Sequence, residues 1–284
     1  MADIANTAQR DYWNQVAGPR WVGLEGAVER RMTAINELLL ARAAPRPGER
    51  ILEIGCGTGA STVPFAAAVL PQGRVVGADI SEAMLGRARQ RVAESGLGNI
   101  TLTLADAQTQ DFEPGAFDLI ASRFGVMFFA DPRAAFTNLI GALRPGGRLC
   151  FICWGTLADN RHWLLPFEIA VRHVGRPQPG NPRAPGPMAF ADPDYVRDFL
   201  AAAGFTSIDI TREHPAVGGL SITEETELGC SMGPVARLLD EKNPDEATRQ
   251  AIRGEIAAAI TAIAEGGTVY LPSTVNVVTA RRPG

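Results

Sequence analysis

Apolar and polar residues follow two rhythms along this chain. Short unbroken apolar runs end at glycines or acidic residues, and between them apolar residues recur every three or four positions. The first rhythm reads as strands buried on both faces, the second as amphipathic helices. Strands are expected at 50–55, 74–79, 101–105, 117–122, 148–154 and 206–211. Helices are expected at 58–70, 81–95 with Ser81 as N-cap, 132–143, 163–174 and 192–203. An earlier helix at 27–44 carries Val28, Met32, Ile35, Leu38 and Leu39 on one face and stops before Pro45 and Pro47. Beyond 211 a helical region at 224–265, broken at Asn243-Pro244, precedes a last strand at 268–280, interrupted at Pro272. Strict strand–helix alternation with short connections predicts an α/β fold around a doubly wound, mostly parallel sheet.

The 284 residues are 46% hydrophobic and 20% charged, which is enough apolar material for one sizeable core. We read 1–284 as a single domain, with an N-terminal flap at 1–26 and a ligand-binding core at 45–155. Segments 156–191 and 213–266 form helical caps over one side. The proline- and glycine-rich stretch 175–187 belongs to the first cap and excludes helix there. A formal charge of −4 argues against an extended nucleic-acid or anionic-membrane footprint. Four cysteines make no disulfide framework, and Cys150 and Cys153 lie in an apolar strand with no second pair or nearby histidine to complete a metal site. Structural thiols and no metal are expected. The N-terminus lacks the pattern of a secretory leader, and no apolar run is long enough to span a bilayer, so the expected location is the cytoplasm.

The chemistry concentrates where the expected strands end. After the first strand the chain reads Glu53-Ile54-Gly55-Cys56-Gly57-Thr58-Gly59-Ala60. Glycines at alternate places let backbone turn sharply and approach a ligand. The loop alone also satisfies the looser dinucleotide pattern, and no lysine follows it as a nucleotide-phosphate loop would require. Three carboxylates sharpen the reading. Glu53 sits at the tip of the first strand, where it can attract an ammonium or, alternatively, cap the loop backbone. Asp79 ends the second strand, placed for a ribose diol. Asp106, followed by Ala107, ends the third, where it can meet an adenine amino group or serve a turn. Three carboxylates around one glycine loop suit a ligand with adenosine and an amine but no phosphate, the profile of S-adenosylmethionine.

At these residues the chain resembles the class I S-adenosylmethionine-dependent methyltransferases, in particular the small-molecule group of the ubiquinone/menaquinone-biosynthesis enzymes. The likeness covers roughly 45–155 and rests on several stretches together. They are 51–59, Val76-Gly77-Ala78-Asp79-Ile80-Ser81 with Met84, Ala105-Asp106-Ala107, Phe117-Asp118-Leu119-Ile120 and 143–149. The resemblance implies a Rossmann-like, seven-stranded sheet whose last strand is antiparallel. It places the cofactor, and its product S-adenosylhomocysteine, on Glu53, Gly55, Cys56, Gly57, Thr58, Gly59, Asp79, Ile80, Met84, Asp106 and Ala107. Ser122 and Arg123 are assigned to the methionine part and Phe124 to the sulfonium. Tyr12, Trp13 and Trp21 are expected to close over the site. The segment 122–129 departs from what related enzymes often carry, so it names no acceptor.

The expected activity is methyl transfer by direct displacement to a small, partly hydrophobic or aromatic acceptor. Phe128, Phe129, Trp154, Trp163, Phe167 and Phe190 are expected to line its pocket, and Arg123, Arg161 or Arg183 to receive any acidic group. Of three histidines, His162 is the expected general base, with His173 and His214 behind it. A cofactor-binding protein without transferase activity and a nicotinamide oxidoreductase are the alternatives. Monomer and homodimer stay equally open.

Overall fold

A computed structural model describes residues 6–284; the part of the expected flap at residues 1–5 lies outside the described residues. The chain opens with three helices, α1 (Thr7–Gln15), α2 (Ala17–Arg31) and α3 (Thr33–Ala43). Then β1 (Arg50–Ile54), α4 (Thr62–Ala68), β2 (Arg74–Asp79), α5 (Glu82–Ser95), β3 (Ile100–Leu104) and β4 (Phe117–Arg123) alternate. A single 3₁₀ turn at Val126–Phe128 leads to α6 (Pro132–Ala142) and β5 (Leu143–Trp154). Next come α7 (Arg161–Val174), α8 (Pro193–Ala202), β6 (Thr206–Glu213) and β7 (Val217–Ser221). The chain ends with α9 (Ile222–Ser231), α10 (Gly233–Lys242), α11 (Glu246–Thr261), β8 (Thr268–Leu271) and β9 (Val275–Arg281).

Seven strands form one sheet in the order β3-β2-β1-β4-β5-β9-β6. The first five run parallel, and β9 enters antiparallel between β5 and β6. This is the Rossmann-like, doubly wound sheet expected from the strand–helix alternation. Its strand order reverses between β1 and β4, so the carboxyl ends of those strands face a crevice where ligands of such sheets bind. Both faces are covered, which is why Ile51, Leu52, Leu119, Ile120, Phe151 and Ile152 have no exposure.

Four expectations need correction. The N-terminal segment is helical from Thr7, and the single helix expected at 27–44 is two, α2 and α3, because Met32 leaves helical geometry (φ −95°, ψ 7°). The helix expected to begin at 58 begins at Thr62, since the preceding residues turn around the loop. The region 213–266 is not wholly helical: β7 precedes α9 and pairs with β8 in a separate two-stranded sheet. The expected last strand is therefore two, parted by 272–274, with β8 in the small sheet and only β9 in the large one.

Buried side chains fall into two clusters. The larger surrounds the main sheet. The smaller joins Ile169, Val235, Leu238, Ile252, Ile256 and Leu271 from α7, α10, α11 and β8. The cap thus has an apolar centre of its own, and its contact with the main body is a seam.

Candidate functional site

The carboxyl end of β1 is built on close backbone approach. Gly55 (φ +64°) has no room for a side chain, because a Cβ there would lie 2.5 Å from Cα of Gly125, beyond the end of β4. Ser122 ties the same two loops: its hydroxyl donates to the Ile54 carbonyl at 2.7 Å and accepts from Gly125 N–H at 3.1 Å. Below the loop Glu53 is fully buried. Ser61 donates its hydroxyl to one carboxylate oxygen and Thr62 to the other, at 2.5 Å for Thr62. Burial pushes the Glu53 carboxyl up to about 7, against the opposing pull of these hydroxyls and of Arg123. Glu53 therefore holds the first turn of α4 to β1 through two side-chain hydroxyls, and not through loop backbone. Cys56, Thr58 and Ala60 are buried in the loop.

At the end of β2, Asp79 accepts from Gly57 N–H at 2.8 Å and Ser81 N–H at 2.9 Å, one on each oxygen. Burial raises its carboxyl above the ordinary value, against these backbone donors. Ser81 caps α5 as expected, accepting from Met84 N–H. Met84 is buried beside the loop, its Cε 3.2 Å from where a Gly57 Cβ would stand, and Ile80 is half-buried with its carbonyl taking Asn14. Asp106 stands two residues past β3 and accepts from Gln108 N–H at 3.0 Å, a local turn bond. It also receives the Asn6 carboxamide at 2.8 Å, while the Asn6 carbonyl oxygen accepts from Ala130 N–H at 2.7 Å. Asn6 thus presents a donor and an acceptor side by side to Asp106 and the chain after β4. Ala107 is buried behind it.

Helix α1 is fastened across these strand ends. Ser81 donates its hydroxyl to the Trp13 carbonyl at 2.9 Å, and Glu82 N–H reaches the Asn14 side chain at 2.9 Å. The Trp13 ring meets Phe128 edge-on at 5.0 Å and Trp21 at 6.3 Å. Tyr12, grouped with them from sequence, meets the Trp13 ring edge-on at 6.0 Å and is 38% exposed.

Past β4, the Arg123 side chain is not free to meet a ligand's acid. It forms a two-pronged pair with Glu29 of α2 at 2.8 and 2.9 Å. Arg183 lies over the Tyr195 ring, 4.2 Å from its centre, and Arg161 is exposed at the start of α7. Phe124 stacks on Trp154, and Trp154 in turn meets the His162 ring at 4.9 Å and Trp163 at 5.8 Å. Phe129 packs on Phe136, and Phe190 is buried with Phe151 and Phe199 under the sheet, so neither joins this aromatic row. Phe167 packs in the cap.

His162 is 2% exposed, and among the described residues neither of its ring nitrogens has a hydrogen-bond partner. Burial, reinforced by the nearby Arg31 charge, holds it well below the usual histidine range. It is neutral at pH 7 and stays so into mildly acidic solution. Arg31 reaches Glu225 of α9 at 2.5 Å inside the protein, with side-chain exposures of 6% and 2%. Neither Arg31 nor Glu225 stands out in the sequence. His173 bonds Glu255 at 2.8 Å on the cap surface, and His214 bonds Thr274 at 3.0 Å.

All four cysteines are free, and burial raises Cys150 to about 12. Among the described residues no group of three or more His, Cys, Asp or Glu could hold a metal ion, and no helix is long and apolar enough to cross a membrane.

Comparison with known proteins adds to this geometry. Residues 51–147 match the family described as "Methyltransferase domain". Nocamycin O-methyltransferase of Saccharothrix syringae is 32% identical over 252 residues, covering 86% of this chain and 89% of the relative. A ubiquinone/menaquinone biosynthesis C-methyltransferase of Saccharophagus degradans is 41% identical over 184 residues, 62% of this chain and 73% of its own. Among solved structures, a Haemonchus contortus phosphoethanolamine N-methyltransferase in complex with S-adenosyl-L-methionine aligns with a TM-score of 0.60 at 18% identity. That alignment covers all of this chain but 61% of the other, and at this identity it speaks for the fold alone.

Proposed function

The chain belongs to the class I S-adenosylmethionine-dependent methyltransferase family and moves a methyl group to a small acceptor; from that premise we propose that the acceptor is ring-bearing and receives the methyl on oxygen. The observation that carries this reading is the aromatic row Phe124, Trp154 and Trp163, which runs from the glycine loop toward the cap. Oxygen as the methylated atom draws its support from the nocamycin O-methyltransferase, which this chain matches over 89% of the relative's length.

The residues present fit the cofactor. The Asp79 oxygens take backbone N–H groups of Gly57 and Ser81, and a carboxylate offers about four acceptor sites, so acceptor capacity remains for a ribose hydroxyl. Asp106 would take the adenine amino group once Asn6 yields its place. The glycine loop, Cys56, Thr58 and the backbone of Ser122 would surround the methionine part. When bound, the cofactor supplies an activated methyl group.

What this chain adds is placement. Direct displacement at carbon needs the nucleophile held in line and water kept out; alignment of this kind supplies up to about 7–11 kcal/mol. The rings of Phe124, Trp154 and Trp163 would orient an acceptor ring by apolar contact, and Trp13 and Trp21 on α1 and α2 would help cover the crevice. A phenolic or enolic oxygen must also lose a proton. His162, neutral and beside Trp154, can accept one.

The test is incubation of the purified protein with methyl-labelled S-adenosylmethionine and a panel of phenols, enols and carbon nucleophiles, read by mass spectrometry. Gain of one labelled methyl on oxygen is expected. Label on carbon alone would overturn the choice of atom. Tight S-adenosylhomocysteine binding with no product from any acceptor would favour a cofactor-binding protein without transferase activity.

A further inference from the structure

Four buried polar atoms without partners among the described residues belong to three side chains that line one place: Arg31 Nε, both ring nitrogens of His162 and Trp163 Nε1. The place is a small cavity between α2, α7, α9 and α10, lined also by Leu228, Met232 and Val235. An unpaired buried donor or acceptor is costly, and native interiors hold few of them. Four together at one cavity mark a place built for a polar group that is not part of the protein.

The kind of group follows from charge and from the hydrogen-bond inventory. Arg31 and Glu225 neutralise each other at 2.5 Å, and Arg123 with Glu29 forms a second balanced pair on the same helix α2. A carboxylate entering the cavity would find Arg31 already paired and no uncommitted positive charge to receive it. A hydrocarbon would satisfy none of the four atoms. A neutral hydroxyl answers both halves of the set: its oxygen accepts from the Arg31 or Trp163 N–H, and its hydrogen is donated to the unprotonated His162 nitrogen.

We propose that this cavity is a recognition subsite for a neutral hydroxyl group of the acceptor; the inference rests on the methyl-transfer reading above. Its position suits that role, since Trp163, the cap end of the aromatic row, lines the cavity with His162, and both rings meet Trp154. Leu228 belongs to the main apolar cluster and Val235 to the cap's, so the cavity lies where the two clusters meet. Gly233 (φ +64°) joins α9 to α10 at this wall, and any side chain there would run into the Trp163 ring.

Three aromatic probes that differ in one substituent test it: 2-naphthol, 2-methoxynaphthalene and 2-naphthoate, titrated calorimetrically into the full chain saturated with S-adenosylhomocysteine. The naphthol is expected to bind roughly tenfold more tightly than its methyl ether, and the naphthoate more weakly than either. Trp163→Phe, which keeps a ring but loses the N–H, should remove most of that preference and leave S-adenosylhomocysteine binding unchanged. Equal binding of naphthol and ether, preference for the naphthoate, binding of none of the three, or an unaltered preference in Trp163→Phe overturns the subsite. Failure of the wild-type protein to bind S-adenosylhomocysteine would instead count against the methyl-transfer reading.

Discussion

Trp154 lies flat on Phe124, with ring centroids 4.2 Å apart and planes within 7° of parallel. The pair joins the ends of neighbouring strands β4 and β5, and Phe124 holds it from a left-handed backbone (φ +64°) that few non-glycine residues adopt. Both rings are buried, so the stack is a structural joint as well as a wall. Trp154→Ala should therefore destabilise the protein by about 3–5 kcal/mol, the range for removing a large buried ring. Urea unfolding measures it, and a loss below about 1 kcal/mol would show that the joint carries little of the load.

Asp79 combines two tasks, bracing Gly57 and Ser81 and leaving acceptor sites open. Asp79→Asn keeps the shape and one oxygen but gives up the charge. Affinity for S-adenosylhomocysteine should fall roughly tenfold to a hundredfold, as expected for weakening a charged hydrogen bond. Unchanged affinity in calorimetry would remove Asp79 from the cofactor site.

These residues were legible in the sequence because they sit where buried runs stop. Glu53, Asp79 and Asp106 each stand at or near the end of a strand whose apolar pattern is unmistakable, and the spacing of strands and helices implied the sheet. What escaped the sequence depends on encounters between distant segments. Asn6 meets Asp106 across 100 positions and Arg31 meets Glu225 across 194. No local pattern announces such pairs. β7 was hidden for another reason: Val217-Gly218-Gly219-Leu220-Ser221 reads as a loop, and its register shift between Gly218 and Leu220 breaks the strand rhythm. α1 and α2 were masked by the proline and glycines near their junction and by an unusual mix of aromatic and polar residues.

Asn6 occupies the Asp106 carboxylate with the same kind of donor that an adenine amino group offers. A cofactor that uses Asp106 must displace it. Asn6→Ala should then tighten S-adenosylhomocysteine binding about fivefold, the equivalent of one ordinary hydrogen bond of about 1 kcal/mol. Weaker binding in the variant would make Asn6 part of the site instead of its competitor.

Glu53 gives the protein a pH dependence opposite to that of an ordinary surface carboxylate. Its folded value, about 7, lies above the 4.5 of an unperturbed glutamate, so the folded state holds the proton longer than the unfolded one. Its contribution to stability is full below about 4.5 and is lost as pH rises toward 7, a change on the order of 3 kcal/mol. Glu53→Gln should erase that slope and be more stable than wild type above neutrality. Melting temperatures across this window decide the point, and parallel curves for the two proteins would place the carboxyl back in the usual range.

His162 works in the opposite sense and on different chemistry. Its burial, with the Arg31 charge nearby, keeps it neutral, whereas in the unfolded chain it takes a proton near its ordinary 6.5. The unfolded state then binds more protons as pH falls below about 6.5, so stability is full above that value and declines in acid. The isosteric His162→Asn should flatten this acid limb. For catalysis the same shift removes any histidine-range step from the turnover profile between about pH 6 and 8, because the base is already unprotonated throughout. If His162 takes the acceptor's proton, His162→Asn lowers turnover by roughly 10²- to 10⁴-fold at every pH in that window while S-adenosylhomocysteine binds as before. A wild-type profile that rises through pH 6.5 and loses that limb in the variant would mean the ring is solvated during turnover. An unchanged rate would leave His162 to its place around the cavity, with alignment carrying the reaction.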